Sequence, residues 1–391
     1  MVIPYGRQSI SESDIAAVGD VLRSDFLTQG PIVPKFENAL GQRCGTRFAV
    51  AMNSATSALH LGCLALGVGQ GDIVWTSPIS FIASANCAKY CGADVDFVDI
   101  ESNTYNMSPQ ALEKKLIAAQ RDGNLPKVVI PVHIAGQSCD MAGIHSLSQR
   151  FGFSIIEDAS HAVGSTYRGK PTGSCEFSDI TVFSFHPVKI ITTGEGGMAL
   201  TNDPELAKSM FRLRSHGITR DAGEMQQEPD GPWYYEQLEL GFNFRMTDIA
   251  AGLGINQLQR IDEFVSRRNE IAESYDSIFA NTAVKAPTRS PDTYSAFHLY
   301  IVRVIFSDYG TTQNRVFENL HANQILANLH YIPIYRQPYY RQFGYSRESF
   351  PESEKYYSEA ISLPMYPDLS AADQQFVAET LLSALGDQPR N

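Results

Sequence analysis

Short apolar runs alternate with amphipathic stretches over the first two thirds of the chain. Seven runs have strand length and strand composition: Arg47–Met52, Ile73–Thr76, Val95–Val98, Lys127–His133, Phe153–Glu157, Thr181–Phe185 and Met198–Thr201. They are rich in Val, Ile, Phe and Thr, the residues that suit a pleated, buried surface. Between them, the spacing of apolar positions predicts helices over Ser57–Leu66, Ser80–Cys91, Pro109–Gln120 and Ala142–Phe151. Strands alternating with helices predict an α/β fold, with a mostly parallel central sheet covered on both faces. No convincing internal repeat is found.

The pattern changes after Arg245. A long helical periodicity runs from Thr247 to about Phe279, followed by a Pro-, Thr-, Ser- and Asp-rich loop. Then come a strand (AFHLYIVRVIF), a helix near Gln313–Asn323, an irregular segment (NLHYIPIYRQPYY) and a terminal helix near Ala371–Leu385. The expected division is a large domain over 1–245 and a smaller α+β domain over 246–391.

Ligands of such sheets bind beyond the carboxyl ends of the strands. Three predicted strands end in polar clusters: NSATSALH after Met52, DASHAVGS after Glu157, and HPVK after Phe185. If these strands are parallel neighbours, the clusters meet at one edge.

Charge narrows the partners. The 391-residue chain carries a net charge of −12, whereas nucleic-acid and membrane-surface proteins usually present a basic field. No apolar run is long enough to span a bilayer. Six cysteines are scattered at Cys44, Cys63, Cys87, Cys91, Cys139 and Cys175, with no metal-type CxxC pair, so no metal is expected. The opening MVIPYGRQSI has no basic stretch leading into an apolar core, so no signal peptide is expected. A cytoplasmic protein with reduced thiols is the expectation.

Each cluster has a structural and a chemical reading. Asn53–Ala58, at a strand-to-helix junction, is either an ordinary helix cap or a phosphate cup made of free N–H groups. Asp158 either caps a helix or faces a cationic partner such as a protonated ring nitrogen, with His161 three residues on. Lys189 is the only formally charged residue between Asp179 and Glu195. Its stem either packs while the ammonium reaches water, or its amine is desolvated and kept partly neutral. Phosphate cup, strand-end carboxylate and desolvated lysine, in this order on an α/β sheet, are what pyridoxal phosphate (PLP) requires. Its phosphate needs donors, its ring nitrogen a carboxylate and its aldehyde a lysine amine.

The segments NSATSALH, EDASHAVGS, SFHPVKIITTGEGG and GFNFRMTDIAAGLG together resemble the DegT/DnrJ/EryC1/StrS sugar aminotransferases, over essentially the whole chain. The resemblance implies the fold-type I (aspartate aminotransferase-like) architecture and PLP held as a Schiff base on Lys189. It places Asp158 at the pyridinium nitrogen and His161 near the phenolic oxygen. Ala55, Thr56 and Ser184 would hold the phosphate, and Phe81 would stack on the ring unless it is a core aromatic. Asn243 would reach the cofactor of a neighbouring subunit, which implies a homodimer with shared sites. Substrate contacts implied are Tyr5, Asp25, Phe26, Leu27 and Thr28, and Asn328, Leu329, His330 and Tyr331, although plain packing also accounts for the loop residues.

Within the family, SDFLTQG and NLHYIPIYRQPYY look most like the branch that makes pseudaminic acid precursors. That branch moves an amino group from glutamate to C4 of a UDP-linked 4-keto-6-deoxy-N-acetylhexosamine. A GDP- or dTDP-linked keto-sugar is the alternative, and a non-catalytic PLP-binding regulator a further one. A histidine at 189 would have implied the related dehydratases. A dinucleotide oxidoreductase lacks its G-x-G-x-x-G fingerprint here.

Overall fold

The computed structural model describes residues 2–386. The last five residues of the expected second domain, and the Met at the head of the opening stretch, lie outside the described residues.

A seven-stranded sheet forms the centre: β1 (Phe48–Met52), β2 (Ile73–Thr76), β3 (Asp94–Phe97), β4 (Val128–Ile130), β5 (Ser154–Asp158), β6 (Ile180–Ser184) and β7 (Gly197–Thr201). Its spatial order is β1-β7-β6-β5-β4-β2-β3. The β3-β2-β4-β5-β6 pairings are all parallel, and β7 runs antiparallel to both of its neighbours. The mostly parallel sheet is therefore borne out, with one reversed strand. All residues of β6 and β7 are buried, as expected of strands covered on both faces.

Helices connect the strands close to the expected positions: α1 (Glu12–Arg23), α2 (Ile32–Cys44), α3 (Ala55–Ala65), α4 (Ala83–Tyr90), α5 (Pro109–Asp122), α6 (Met141–Phe151) and α7 (Pro204–Leu213). The long carboxy-terminal periodicity is not one helix. It breaks at Arg260 (φ −102°, ψ 8°) into α8 (Asp248–Gln259) and α9 (Ile261–Phe279). The reason is an anchor: Arg260 Nη2 bonds the buried Asp14 carboxylate at 2.8 Å. The break lets α8 pack on α1 and α2, while α9 turns toward the carboxy-terminal core. One apolar cluster joins Val33, Phe36 and Leu40 of α2 to Met246, Ala251, Leu258 and Phe264, so packing continues across residue 245.

The carboxy-terminal part holds β8 (Tyr300–Arg303) antiparallel to β9 (Ala360–Leu363), with α10 (Gln313–Ala322), α11 (Pro338–Arg341), α12 (Pro351–Glu359) and α13 (Ala371–Ala384). Ile3 and Pro4 pair in parallel with Ile325 and Leu326. This pairing carries Tyr5 to the segment that begins at Asn328. Among the described residues, no helix is long and apolar enough to cross a membrane. The six cysteines are free.

Candidate active site

Register places three chemistry-bearing strand ends at one edge. Asp158 is opposite Val182, and Gly197 is opposite both Ser184 and Met52. A cavity of about 1140 Å³ opens beyond that edge. It is larger than the pockets typical of one drug-sized ligand. Its walls include Tyr5, Ala55, Thr56, Phe81, Asp158, His161, Ser184 and Lys189, together with Asn328, Leu329, His330 and Tyr331.

The N-terminus of α3 forms one wall. Ser54 caps it by accepting from Ser57 N–H at 3.1 Å. The first-turn N–H groups of Ala55 and Thr56 have no intrahelical acceptor, and their residues face the cavity. Gly197 lies directly beneath, and a Cβ there would sit 2.3 Å from Ala55 N. Only glycine lets the sheet edge come this close to the helix start.

Asp158 is 4 % exposed at the end of β5. Ser84 Oγ donates to its Oδ2 at 2.6 Å, and Ser160 donates to its Oδ1 through both Oγ at 2.6 Å and N–H at 3.1 Å. Three donors thus orient the carboxylate. Neither serine stood out in the sequence. The clue to Ser160 is its position two residues after Asp158, an Asx-turn spacing; Ser84 offers none, since its partner lies 74 residues away.

Lys189 follows β6 on a tight turn in which its N–H donates to His186 O at 2.9 Å. Its side chain is half-buried on the cavity wall. Among the described residues its amine has no hydrogen-bond or ion-pair partner. Burial pulls its pKa down to about 8, and the Asp158 charge opposes that shift only in part. The desolvated amine is therefore the reading that the structure favours. Phe81 is 56 % exposed, with its ring 6.1 Å from that of Tyr331, so it is a wall of the cavity and not a core aromatic.

Three buried histidines surround this centre. His161 Nε2 lies 3.0 Å from Tyr331 Oη. Burial, and then the charge of Lys189, hold His161 well below its ordinary value and bring His330 down to about 3. His298, whose ring centroid is 4.4 Å from that of His161, is depressed by the same two causes. The sequence reading missed His298 because it sits inside a strand-like apolar run.

Five of the sequence-predicted residues are not brought to this cavity. Asp25, Phe26, Leu27 and Thr28 form an exposed loop, with Phe26 52 % and Leu27 46 % exposed. Leu27 O accepts from Asp248 N–H at 3.0 Å, which ties the loop to the start of α8. Asn243 is exposed, on a segment paired with Ser215. Both segments border the same outer surface, since Thr28 pairs with Thr247.

The donor set suits PLP: a helix N-terminus for a phosphate, an oriented carboxylate for a protonated ring nitrogen, and an unpartnered amine for an aldehyde. The model for the DegT/DnrJ/EryC1/StrS aminotransferase family matches residues 8–382. The chain belongs to that family. Two relatives and two solved structures give it context. The spore coat polysaccharide biosynthesis protein SpsC of Bacillus subtilis is 38 % identical over 97 % of this chain and 96 % of its own. The UDP-4-amino-4,6-dideoxy-N-acetyl-beta-L-altrosamine transaminase of Campylobacter jejuni is 37 % identical over 98 % of both chains. The structure of Helicobacter pylori PseC, an aminotransferase of pseudaminic acid biosynthesis, superposes with a TM-score of 0.90 at 32 % identity, covering 99 % of this chain and 100 % of the other. The PLP form of the sugar aminotransferase Spr1654 from Streptococcus pneumoniae superposes at 0.87 with 31 % identity, covering 99 % of both. The expected fold-type I architecture and the expectation of an aminotransferase are borne out.

Proposed function

We propose that this enzyme moves an amino group from glutamate to C4 of a UDP-linked 4-keto-6-deoxy-N-acetylhexosamine, with PLP carried on Lys189. Glutamate leaves as 2-oxoglutarate, and the sugar gains an amine, as in the making of a pseudaminic acid precursor. The observation that carries the catalytic part is the unpartnered Lys189 amine, with a depressed pKa, sharing one cavity with the triply oriented Asp158. The sugar is supported by the Campylobacter relative and the Helicobacter structure. A second reading keeps the chemistry and takes another nucleotide-linked keto-sugar as the acceptor; the Bacillus relative, at similar identity, is named for spore coat polysaccharide biosynthesis instead.

Bound PLP supplies an electron sink for the carbon that bears the amino group. The chain supplies the rest. Ala55, Thr56 and Ser184 hold the phosphate, and Phe81 covers a ring face. Asp158 keeps a proton on the ring nitrogen, and Ser84 and Ser160 keep Asp158 in place. Lys189 Nζ takes a proton from the amino donor and returns one on the other side of the exchange. A pKa of about 8 lets one amine act as nucleophile, base and acid near neutral pH.

The same reading assigns the cavity-lining Tyr5, Asn328, Leu329, His330 and Tyr331 to the sugar. It makes the enzyme a homodimer in which the exposed Asp25, Phe26, Leu27, Thr28 and Asn243 reach the partner's cavity. It keeps the division into a cofactor domain, 1–245, and a smaller domain, 246–391. A cytoplasmic location goes with a nucleotide-sugar substrate and six free thiols.

The test supplies purified enzyme with glutamate and UDP-, GDP- and dTDP-linked 4-keto-sugars in turn. 2-Oxoglutarate and an amino sugar are expected with the UDP compound. No product from any of the three overturns the proposal, and product only from another nucleotide moves it to the second reading.

A further inference from the structure

The backbone of residues 134–138 passes His161, and Ala135 N–H donates to its Nδ1 at 3.2 Å. A ring nitrogen that receives a donor carries a lone pair, so this hydrogen-bond network puts the imidazole proton on Nε2. The Nε2–H therefore donates to Tyr331 Oη, 3.0 Å away. A phenol that accepts from His161 keeps its own O–H free to turn into the cavity, which Tyr331 lines.

We propose that Ala135, His161 and Tyr331 form a one-way hydrogen-bond relay, which makes Tyr331 a donor to an oxygen of the sugar, and that Asn106 positions the first donor. The identity of the ligand rests on the function proposed above, but the direction of the relay does not.

The first donor is held from two sides. Asn106 is 2 % exposed and reaches across the loop. Its Oδ1 accepts from Ile134 N–H at 2.9 Å, and its Nδ2 donates to Gln137 O at 3.0 Å and Ser138 O at 3.1 Å. From the other side, Ala296 N–H donates to Gly136 O at 3.0 Å and Leu299 N–H to Ala135 O at 3.3 Å. Ala135 itself has φ 60°, in the left-handed region, a conformation that surrounding contacts must hold for a residue with a side chain. Gly136 packs so tightly that a Cβ would lie 2.9 Å from Phe297 N and 3.0 Å from His298 N. The groups around the relay preserve its direction. Burial and the Lys189 charge disfavour a second proton on His161, and burial, Tyr5 and Asp158 keep the Tyr331 proton in place.

Donor order has a consequence for substitution. Glutamine at 161 carries an acceptor oxygen and a donor amide in the same sequence as Nδ1 and Nε2, whereas leucine carries neither.

Nitrogen-15 NMR of the histidine-labelled, cofactor-free protein reads the relay directly. The expected spectrum has His161 as the neutral Nε2–H tautomer, and Asn106→Ala should produce exchange between tautomers. If that variant fails to fold, Asn106→Asp, which keeps the acceptor and loses the donors, takes its place. An Nδ1–H tautomer or an imidazolium at neutral pH overturns the relay, and an Asn106 variant with an unchanged His161 spectrum overturns the role of Asn106. In kinetics, Tyr331→Phe and His161→Leu should each raise KM for the keto-sugar about 3- to 10-fold, the range of one neutral hydrogen bond. His161→Gln should recover most of the loss. A glutamine variant as impaired as the leucine one, or an unchanged KM in Tyr331→Phe, overturns the proposal. If no nucleotide keto-sugar is turned over, the proposed function fails while the NMR result still decides the relay.

Discussion

Replacing Lys189 by methionine should stabilise the cofactor-free protein. An ordinary lysine titrates at 10.5, and burial, partly opposed by Asp158, brings this one to about 8. Between those values the unfolded chain holds a proton that the folded chain has shed, so stability rises with pH across that window. Below pH 8 both states are protonated, and the fold carries the full cost of a desolvated ammonium. At about 1.4 kcal/mol per pKa unit, that cost is roughly 3 kcal/mol. Lys189→Met keeps the stem and removes the charge. Denaturant unfolding at pH 7 should show the variant more stable by up to about 3 kcal/mol, with the gap closing toward pH 10. The same shift sets reactivity. At pH 7 about one lysine in ten is neutral when the pKa is 8, against about one in 3000 for a free lysine, a gain of about 300-fold. An amine-directed reagent should label Lys189 in the wild type with a midpoint near pH 8. A variant less stable than the wild type, a gap independent of pH, or a labelling midpoint above 10 refutes the reasoning.

Further outcomes follow from the same contacts. Ser84→Ala removes a buried 2.6 Å bond to Asp158. Hydrogen bonds to charged groups contribute about 1.5–3 kcal/mol, so PLP titration by absorbance should show weaker binding, and unchanged affinity would deny Ser84 its orienting part. Asp158→Asn should still bind PLP but lose orders of magnitude in turnover; near-normal rates would mean that the ring nitrogen has another partner. Gly197→Ala drives a Cβ to 2.3 Å from Ala55 N. Overpacking of this kind costs about 1–3 kcal/mol or more, so PLP retention on gel filtration should fall, whereas Gly69→Ala, which meets open space, should retain it.

The sheet was legible because its strands are buried on both faces and read as continuous apolar runs, as IVWT and TVFSF do. Lys189 was legible because it stands alone as a charge just beyond such a run, and Asp158 because it follows Glu157 at the very end of one. What local pattern cannot carry is long-range pairing. The split of the long helix depends on Arg260 meeting Asp14, 246 residues away. The orientation of Asp158 depends on Ser84, whose hydroxyl is indistinguishable in sequence from its neighbour Ser80. Tyr5 reaches the cavity only because Ile3 pairs with Ile325. The resemblance named Asp25–Thr28 and Asn243 as site residues, yet one chain places them on its outer surface. Under the proposed function, they would reach a site only in a second copy of the chain.

The most direct measurement reduces the PLP-loaded enzyme with borohydride and maps the modified peptide by mass spectrometry. The account predicts a pyridoxyl group on Lys189, with loss of the absorbance band near ~420 nm that marks a lysine Schiff base. An unmodified Lys189 peptide, or the label on another lysine, would contradict it.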